Sequence, residues 1–337
     1  MFSFRTSSLF EQQDRALAKG RLAVLDSPTA WYPEIESYLW EILSGRGNEV
    51  VLLSEDRLDT DTLAAEHIDA LVIERQGTAD CFDPFYGKLF NFFRQCKDAG
   101  SDVPVYILDR PNPCGRSVEG SFKYGMCHKH GMTIAEMANM FFTDLGCKFP
   151  LHVISADATM AGRELLTWSI PASDDFAGYF TAYFHAGQYL WHATNVSCGI
   201  GTDRPYELFG APFMRDFNSV EAAYNKGVFM RRASFTPANG LYSGEKCFGY
   251  QMLANPTEPY NSVLHAVRLI KLVKDSCGEF ALSDDAEEIF GEPLIGAYFN
   301  DECSWEDLKE QIKQQEQRWL RKAKKYLLYP EPLTRIK

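Results

Sequence analysis

The sequence predicts an α/β protein in two parts: a Rossmann-like, doubly wound parallel sheet, then a second, smaller α+β domain. In the first half, short apolar runs alternate with helical patterns. Past about residue 150 this alternation gives way to an aromatic helical stretch, strand-like pieces and closing helices. A chain of 337 residues is also long enough for two cores. We therefore place the domains at residues 1–155 and 156–337, with a cleft between them.

Four apolar runs in the first half are typical of buried strands, namely 21–26, 49–53, 68–73 and 103–108. An amphipathic stretch through Trp40 and Leu43 follows the first run, and a Phe-rich helical stretch, 85–93, follows the third. Strands joined by helical crossovers pair in parallel, so these elements predict the doubly wound sheet.

The second half begins with aromatic residues at helical spacing over 176–191. Residues 228–233 and 247–252 have the composition of strands, and three helices are expected to close the chain. The last of them covers about 304–326, with Ser304 as N-cap and Asp307 three residues later as its capping partner.

Charge and composition exclude several classes of partner. The formal net charge is −12, whereas nucleic acids and anionic membranes are bound through basic patches. No window approaches the roughly 20 apolar residues of a membrane span, and residues 1–11 lack the apolar stretch of a signal peptide. We therefore expect neither a nucleic acid nor a membrane as partner. The sequence does not predict an oligomeric state.

The nine cysteines are scattered, with no Cys-x-x-Cys pair, which favours reduced thiols and a cytoplasmic location. Neither a Gly-x-Gly-x-x-Gly nor a Gly-x-x-x-x-Gly-Lys motif is present, so no nucleotide is expected. Cys127, His128 and His130 lie close together but lack further ligands at matching spacing. We predict no cofactor and no metal.

Polar or charged residues follow each predicted strand, at 26–29, 54–57, 74–77 and 109–113. In doubly wound sheets, ligands bind beyond the carboxyl ends of the strands. The pattern therefore predicts a cleft at this edge of the sheet, with carboxylates on it.

Six motifs in order along the chain carry a resemblance to a known family. They are residues 108–115, 118–120, 130–138, 194–197 taken with 199 and 201–202, 204–212, and 234–237 taken with 244–249. Together they resemble the exo-β-N-acetylmuramidases of glycoside hydrolase family 171, formerly a domain of unknown function. The resemblance implies a Rossmann-like domain, a smaller C-terminal domain and removal of terminal β-linked N-acetylmuramic acid from peptidoglycan fragments.

The chain departs from the family pattern in its cleft. His192, Cys198 and Ile200 stand where the family has Glu, Glu and Arg, and of its Pro-Ser-Pro-Asn-Met stretch only Pro171 survives. These changes leave three hypotheses open: a glycosidase of shifted specificity, a non-catalytic descendant that binds a muropeptide or amino sugar, and an enzyme for another acidic sugar.

Glycoside hydrolysis needs a protonated acid for the leaving oxygen and a second group as base or nucleophile. We predict Glu55 as the acid, with Glu74 and His130 as further catalytic residues. The alternative for Glu55 is an exposed side chain with no part in the reaction. The alternative for His130 is a structural role, in which it holds its loop against the start of the next helix. The residues predicted to bind substrate are Asp109, Arg110, Asn112, Glu119, Asn195, Thr202, Arg204 and Glu207.

Among these, Arg110 suits the lactyl carboxylate of a muramic acid, because guanidinium groups bind carboxylates in a bidentate way. The structural alternative is a local pair of Asp109 with Arg110. For the group from Asn195 to Glu207, the alternative is a tight interdomain turn.

Overall fold

The structure is a computed structural model that describes residues 2–5, 19–32, 35–155, 173, 175, 176, 178–291 and 293–336. Its central sheet is six-stranded and parallel throughout. From edge to edge the strands are β1 (Phe2–Arg5), β10 (Leu151–Ile154), β7 (Val105–Leu108), β6 (Ala70–Ile73), β2 (Arg21–Leu25) and β5 (Glu49–Leu53). The predicted α/β class and doubly wound sheet are confirmed, and β1 and β10 are strands that the sequence analysis missed.

Apolar side chains cover both faces of this sheet. Leu22 and Val24 of β2 belong to one core, and Ala23 and Leu25 belong to the other. Four helices of the first half flank the sheet: α1 (Leu39–Gly45), α2 (Thr60–Ala65), α3 (Pro84–Ala99) and α4 (Ile134–Leu145). A parallel sheet buried on both faces requires near-continuous apolar strands, as the sequence shows. A short hairpin, β3 (Trp31–Tyr32) and β4 (Ser37–Tyr38), precedes α1.

Local sequence determines where α3 and α4 begin and end. Asp83 caps α3 by accepting the Phe85 N–H at 3.0 Å, Pro84 occupies the first turn, and Gly100 ends the helix in the left-handed conformation. Thr133 and Glu136 form a capping box at the start of α4, with reciprocal bonds of 3.2 and 3.0 Å.

A hairpin that the sequence analysis missed lies between the sheet and the second half. Its strands are β8 (Ser117–Lys123) and β9 (Met126–Lys129). The two turn residues, Tyr124 and Gly125, have φ values of 51° and 83°. Two-residue hairpins favour such positive φ values, but Tyr-Gly signals them far less clearly than Asn-Gly does.

The second half contains an antiparallel sheet of β11 (Leu208–Ala211), β13 (Cys247–Ala254) and β12 (Val228–Phe235). Helices α5 (Tyr179–Gln188) and α6 (Ser262–Ser276) pack closely together at Gly187. A side chain at this position would not fit, since its Cβ atom would lie 2.1 Å from the Ser262 carbonyl oxygen.

Four described helices follow β13 instead of the three predicted: α6, α7 (Ala286–Phe290), α8 (Pro293–Phe299) and α9 (Trp305–Ala323). Helices α7 and α8 are too short to show a period in the sequence. The Ser304–Asp307 capping box of α9 is confirmed. None of the helices in the described ranges has the length and apolarity to cross a membrane.

All nine cysteines are free thiols. Burial raises the pKa of Cys96 and of Cys198 to about 12. Thiols of this kind carry little thiolate at neutral pH.

The end of the chain returns to the first half. Trp319 of α9 donates its indole N–H to the His130 carbonyl oxygen at 2.9 Å. Glu316, one turn earlier and buried, accepts the Gly120 N–H at 3.0 Å and pairs with Arg335 of β14 (Thr334–Arg335), which lies beside β8. The division at residues 155 and 156 remains a prediction, and Ala156 itself lies outside the described residues.

Stability should fall as the pH rises towards neutrality because of Glu316. Burial raises the pKa of Glu316 to about 7, although Arg335 opposes this change. An unfolded glutamate titrates near pH 4.3, so above that pH the unfolded chain releases a proton that the folded chain retains. The unfolding free energy should therefore decrease across this window, by about 1.4 kcal/mol for every unit of pH between the unfolded and folded pKa values.

Urea unfolding at pH 5 and pH 8 measures this effect. Glu316→Gln should flatten the difference between the two pH values, whereas Glu310→Gln, at an exposed position of the same helix, should leave it close to that of the parent. Equal pH dependence in the parent protein and Glu316→Gln would contradict the assignment.

Candidate functional site

The loops after β5, β6 and β7 bring charged side chains to the carboxyl edge of the sheet. Arg110 donates to Oε1 of Glu74 from Nη2 at 2.5 Å and from Nε at 3.1 Å, and both residues are buried. Tyr32 donates its hydroxyl to Oε2 of Glu74 at 2.6 Å. Both carboxylate oxygens of Glu74 are therefore engaged by the protein. Arg110 pairs with Glu74 instead of its neighbour Asp109.

Arg75 joins two further acids at this edge. Its Nε lies 2.9 Å from Oε1 of Glu55, and its Nη1 lies 2.6 Å from Oδ2 of Asp83. Lys88 also reaches Glu55, at 3.4 Å, and the Glu55 side chain is 25% exposed. Burial alone would raise the pKa of Asp83, but the charge and hydrogen bond of Arg75 bring it below the ordinary value.

Asp109 and Asn112 connect loops of the protein to one another. Asp109 accepts the Ala135 N–H at 3.0 Å and the Tyr329 hydroxyl at 2.7 Å, and burial raises its pKa to about 6. Asn112 donates to the Met132 carbonyl oxygen at 2.9 Å. In this structure both predicted substrate-binding side chains make structural contacts.

His130 is buried next to the start of α4. Its Nδ1 accepts the Met132 N–H at 3.1 Å, so Nε2 carries the hydrogen and donates to the Tyr86 hydroxyl, also at 3.1 Å. Burial lowers the pKa of His130 to about 4, so the ring is neutral at pH 7.

Glu119 joins the β8–β9 hairpin to α6. Lys129 donates to one of its oxygens at 2.7 Å, and the backbone N–H and hydroxyl of Ser262 donate to the other, each at 2.7 Å. All three residues are buried. The chain itself therefore satisfies both oxygens of this predicted substrate ligand.

The predicted contacts of the second half lie in a loop that bonds mainly to itself. Asn195 bonds to the backbone of residues 279–281, and Thr202 donates to a backbone carbonyl three residues earlier at 2.6 Å. Arg204 and Glu207 form a pair at 3.3 Å. Burial raises the pKa of Glu207, and Arg204 opposes that change.

Little space remains directly over the strand ends. Among the described residues, the opening lined by Arg75, Arg110 and Asn112 has a volume of about 10 Å³, room for about one water molecule. The sugar pocket that we expected at this position is therefore filled by side chains. The acids and arginines pair with one another and close the space.

A much larger cavity, of about 750 Å³, lies beside this edge and shares Tyr86 with it. It is lined by side chains from both halves of the chain, and none of the eleven predicted site residues is among them. The lining residues are Cys81, Phe82, Asp83, Pro84, Tyr86, Gly87, Phe90, Lys123, Tyr124, Met126, Met140, Phe141, Asp144, Tyr189, His192, Asp285, Glu288, Ile289 and Lys322.

One side of the cavity is polar, and we call it the α7 side: Lys123, Tyr124, His192, Asp285 and Glu288. Lys123 donates to the backbone carbonyl of Glu288, and the Tyr124 hydroxyl donates to the Glu288 carboxylate at 3.0 Å. The sequence analysis did not predict this side, because its two acids belong to a five-residue helix and its N-cap, and Lys123 and Tyr124 lie at the unrecognised hairpin. It had noted His192 only as a departure from the family pattern.

An aromatic pair forms the adjoining wall. The Phe82 and Tyr189 rings stack with centroids 4.0 Å apart and an interplanar angle of 14°. Lys123 lies 5.6 Å from the centroid of the Phe82 ring. Stacked rings beside a cation suit a ligand that has both apolar faces and negative charge.

Comparison with known proteins identifies the family of this chain. The N-terminal model of the exo-β-N-acetylmuramidase NamZ matches residues 45–171, and the C-terminal model matches residues 183–329. Together the two models cover most of the chain. It belongs to the NamZ family.

A NamZ relative supports this conclusion, and two solved structures share the fold. The peptidoglycan β-N-acetylmuramidase NamZ of Bacillus subtilis (strain 168) is 26% identical over 284 residues, which are 78% of this chain and 68% of the relative. Two DUF1343 family crystal structures from Bacteroides fragilis NCTC 9343 share the fold. The first has a TM-score of 0.72 at 20% identity, over 92% of this chain and 94% of the other. The second has a TM-score of 0.75 at 18% identity, over 95% of this chain and 97% of the other.

Two departures from the NamZ pattern lie next to each other, and one of them, His192, lines the cavity. Nε2 of His192 lies 3.6 Å from Sγ of Cys198 and 3.3 Å from the Tyr206 hydroxyl. Behind them, His185 Nδ1 lies 2.6 Å from a buried carboxylate oxygen of Asp80. Burial and nearby His185 lower the pKa of His192. Pro171, the remnant of another motif, lies outside the described residues.

Removing the partner of Glu74 tests the ion pair at the sheet edge. Arg110→Met should lower the unfolding free energy by roughly 3–5 kcal/mol, because a buried carboxylate loses its counter-charge. The double variant Arg110→Met/Glu74→Gln should recover part of that loss.

Urea unfolding gives these values. Lys313→Met is the control: it pairs with Glu310, but the two side chains are 40% and 54% exposed, so the change should cost little. A cost for Arg110→Met as small as that of the control would contradict the importance of the pair.

Proposed function

We propose that this chain is an exo-acting glycoside hydrolase that removes terminal β-linked N-acetylmuramic acid from peptidoglycan fragments, and that it binds the sugar in the 750 Å³ cavity. One observation carries the proposal: the chain belongs to the NamZ family, and its large cavity is lined by residues from both matched regions. The relative from Bacillus subtilis is named a peptidoglycan β-N-acetylmuramidase.

The chemistry of the cavity supports an acidic amino sugar. The Phe82–Tyr189 stack gives the cavity an apolar aromatic wall, against which the carbon-bound hydrogens of a pyranose ring can pack. Lys123, at the end of β8, offers a cation to the lactyl carboxylate. Hydroxyl and carboxylate groups at the cavity, on Tyr124 and Glu288, suit the polar rim of the same ring.

Asp285 and Glu288 are the carboxylates that we assign to the reaction. They are exposed and line the cavity, and Glu288 lies in the first turn of α7, three residues after the N-cap Asp285. One protonates the glycosidic oxygen, and the other assists at the anomeric carbon. In the net reaction, water adds to that carbon and the leaving oxygen takes the proton, with no cofactor.

Glu55 remains the competing assignment for the acid. It is partly exposed at the sheet edge, whereas Glu74 is buried in its pair with Arg110. Asp285 and Glu288 are preferred because they border a space that accommodates a sugar. The nine free thiols favour a reducing compartment, so we place the reaction in the cytoplasm.

Release of N-acetylmuramic acid from an aryl β-N-acetylmuramide and from a muramyl disaccharide tests the function. The parent protein should release the sugar from both. Asp285→Asn and Glu288→Gln should each lower kcat by about 10²-fold or more, since general acid–base groups contribute effects of that size. Glu55→Gln should change kcat less than about tenfold.

The matched controls are Asp284→Asn and Glu287→Gln, exposed neighbours that do not line the cavity. They should keep full activity. If the parent released sugar from neither substrate, the hydrolase proposal would fail, and calorimetric binding without turnover would then indicate a sugar-binding protein. If only Glu55→Gln lost activity, Glu55 at the sheet edge would be the general acid.

A further inference from the structure

The β8–β9 hairpin lies along α7 and fixes its position. Ser121 donates its hydroxyl to the Phe290 carbonyl oxygen at 3.3 Å, and Lys123 donates to the backbone carbonyl of Glu288. A Cβ atom on Gly291, the C-cap of α7, would lie 3.1 Å from the Cβ atom of Lys123. The hairpin therefore holds this short helix in place and, through it, determines where the two carboxylates of the α7 side lie at the cavity.

These two carboxylates have unlike surroundings. Glu288 accepts the Tyr124 hydroxyl at 3.0 Å, and Lys123 donates to its backbone. Asp285 is the N-cap of α7, but its side chain makes no capping bond and accepts no hydrogen bond from any residue that the structure describes. Paired acids in different environments take different parts in catalysis, because one is held ionised while the other can carry a proton.

Tyr124 is suited to hold Glu288 in its ionised form. A hydrogen bond donated to a carboxylate favours the charged state. Burial raises the pKa of Tyr124 to about 12, and the bond to Glu288 acts in the same direction, so the hydroxyl keeps its hydrogen at neutral pH. Burial lowers the pKa of Lys123, and the charge of Glu288 opposes this change more than the charge of Asp285 does.

Asp285 has no comparable support. Tyr189 and His192 are close enough to Asp285 for its charge to influence their pKa values. Burial raises the pKa of Tyr189 and lowers that of His192, so both are neutral at pH 7 and neither supplies a positive charge. A sugar displaces water from the cavity, and a carboxylate that loses water without gaining a donor takes up a proton more readily.

We propose that Tyr124 is a positioning residue that holds Glu288 as the ionised carboxylate of the reaction, which leaves Asp285 as the proton donor. This assignment rests on the proposed function, because it concerns the hydrolysis of a β-linked N-acetylmuramic acid in this cavity. Asp285 gives its proton to the leaving oxygen as the bond from the anomeric carbon breaks, and the Glu288 carboxylate stabilises the positive charge that develops there. Water supplies the hydroxyl that this carbon gains, and its remaining proton restores Asp285.

Substrates with different leaving groups separate the two roles. A dinitrophenyl β-N-acetylmuramide releases a phenolate that leaves without a proton, whereas the sugar alcohol of a muramyl disaccharide needs one. On the disaccharide, Asp285→Asn and Glu288→Gln should both lower kcat/KM by about 10²-fold or more. On the dinitrophenyl substrate, the loss should stay at about 10²-fold or more for Glu288→Gln and shrink to less than about tenfold for Asp285→Asn.

Tyr124→Phe should follow the pattern of the Glu288 variant. Its kcat/KM should be about tenfold lower on both substrates, because a hydrogen bond to a charged group is lost. Added to Glu288→Gln, the change should cost little more, whereas added to Asp285→Asn it should again cost about tenfold on the dinitrophenyl substrate. Tyr224→Phe, at an exposed position that does not line the cavity, is the matched control and should leave kcat/KM unchanged. Unfolding midpoints establish that each variant is folded.

The two proposals fail in different ways. If Asp285→Asn lost activity equally on both substrates, or if the dinitrophenyl substrate spared Glu288→Gln instead, the division of roles would be wrong and the hydrolase function would stand. If Tyr124→Phe matched Tyr224→Phe, or if its cost added in full to that of Glu288→Gln, the positioning role would be overturned. No release of sugar by the parent protein from either substrate would overturn the function itself.

Discussion

Hydrogen bonds to buried carboxylates fix the positions of the two halves of this protein relative to each other. The donors come from distant parts of the chain. Glu119 accepts from the start of α6, Glu316 from Gly120 of β8, and Asp109 from Tyr329 near the C-terminus. Glu136 also accepts the Leu328 N–H at 3.0 Å. A buried carboxylate left without partners is costly, so each of these bonds fixes the distance between two segments. The cavity depends on them, since its walls come from the segments so joined.

The same chemistry closes the edge of the sheet. Glu74 pairs with Arg110, and Arg75 links Glu55 with Asp83, so the loops after three strands are bonded to one another. In many doubly wound proteins this position is kept open for a ligand. Here the open space lies beside the edge, between aromatic side chains and exposed acids. Polar loops at strand ends therefore indicate where ligands bind only when their charges are not already paired.

Much of the fold could be predicted because its signals are local. The buried strands β2, β5, β6 and β7 are continuous apolar runs, and the capping box of α4 lies within four residues. The strand β1 and the β8–β9 hairpin could not be predicted, because short polar-containing strands depend on their partners for stability. The candidate site was harder to predict from the sequence. Arg110 lies 36 residues from Glu74, and no local pattern reveals that the two form a pair. The residues around the cavity come from segments spread between Cys81 and Lys322, which only the folded chain brings together.

The free thiols have a practical consequence. Burial raises the pKa of Cys81 and Cys127 well above the ordinary value, so neither reacts readily while the surrounding core is closed. Cys81 lines the cavity, and Cys127 lies in the hairpin beside it. Alkylating reagents should therefore label Cys127 only when the hairpin moves away from the core around it, whereas Cys81 should react slowly through the cavity. Mass spectrometry of such labelling would show how often the walls of the cavity open, and whether a bound sugar keeps them shut.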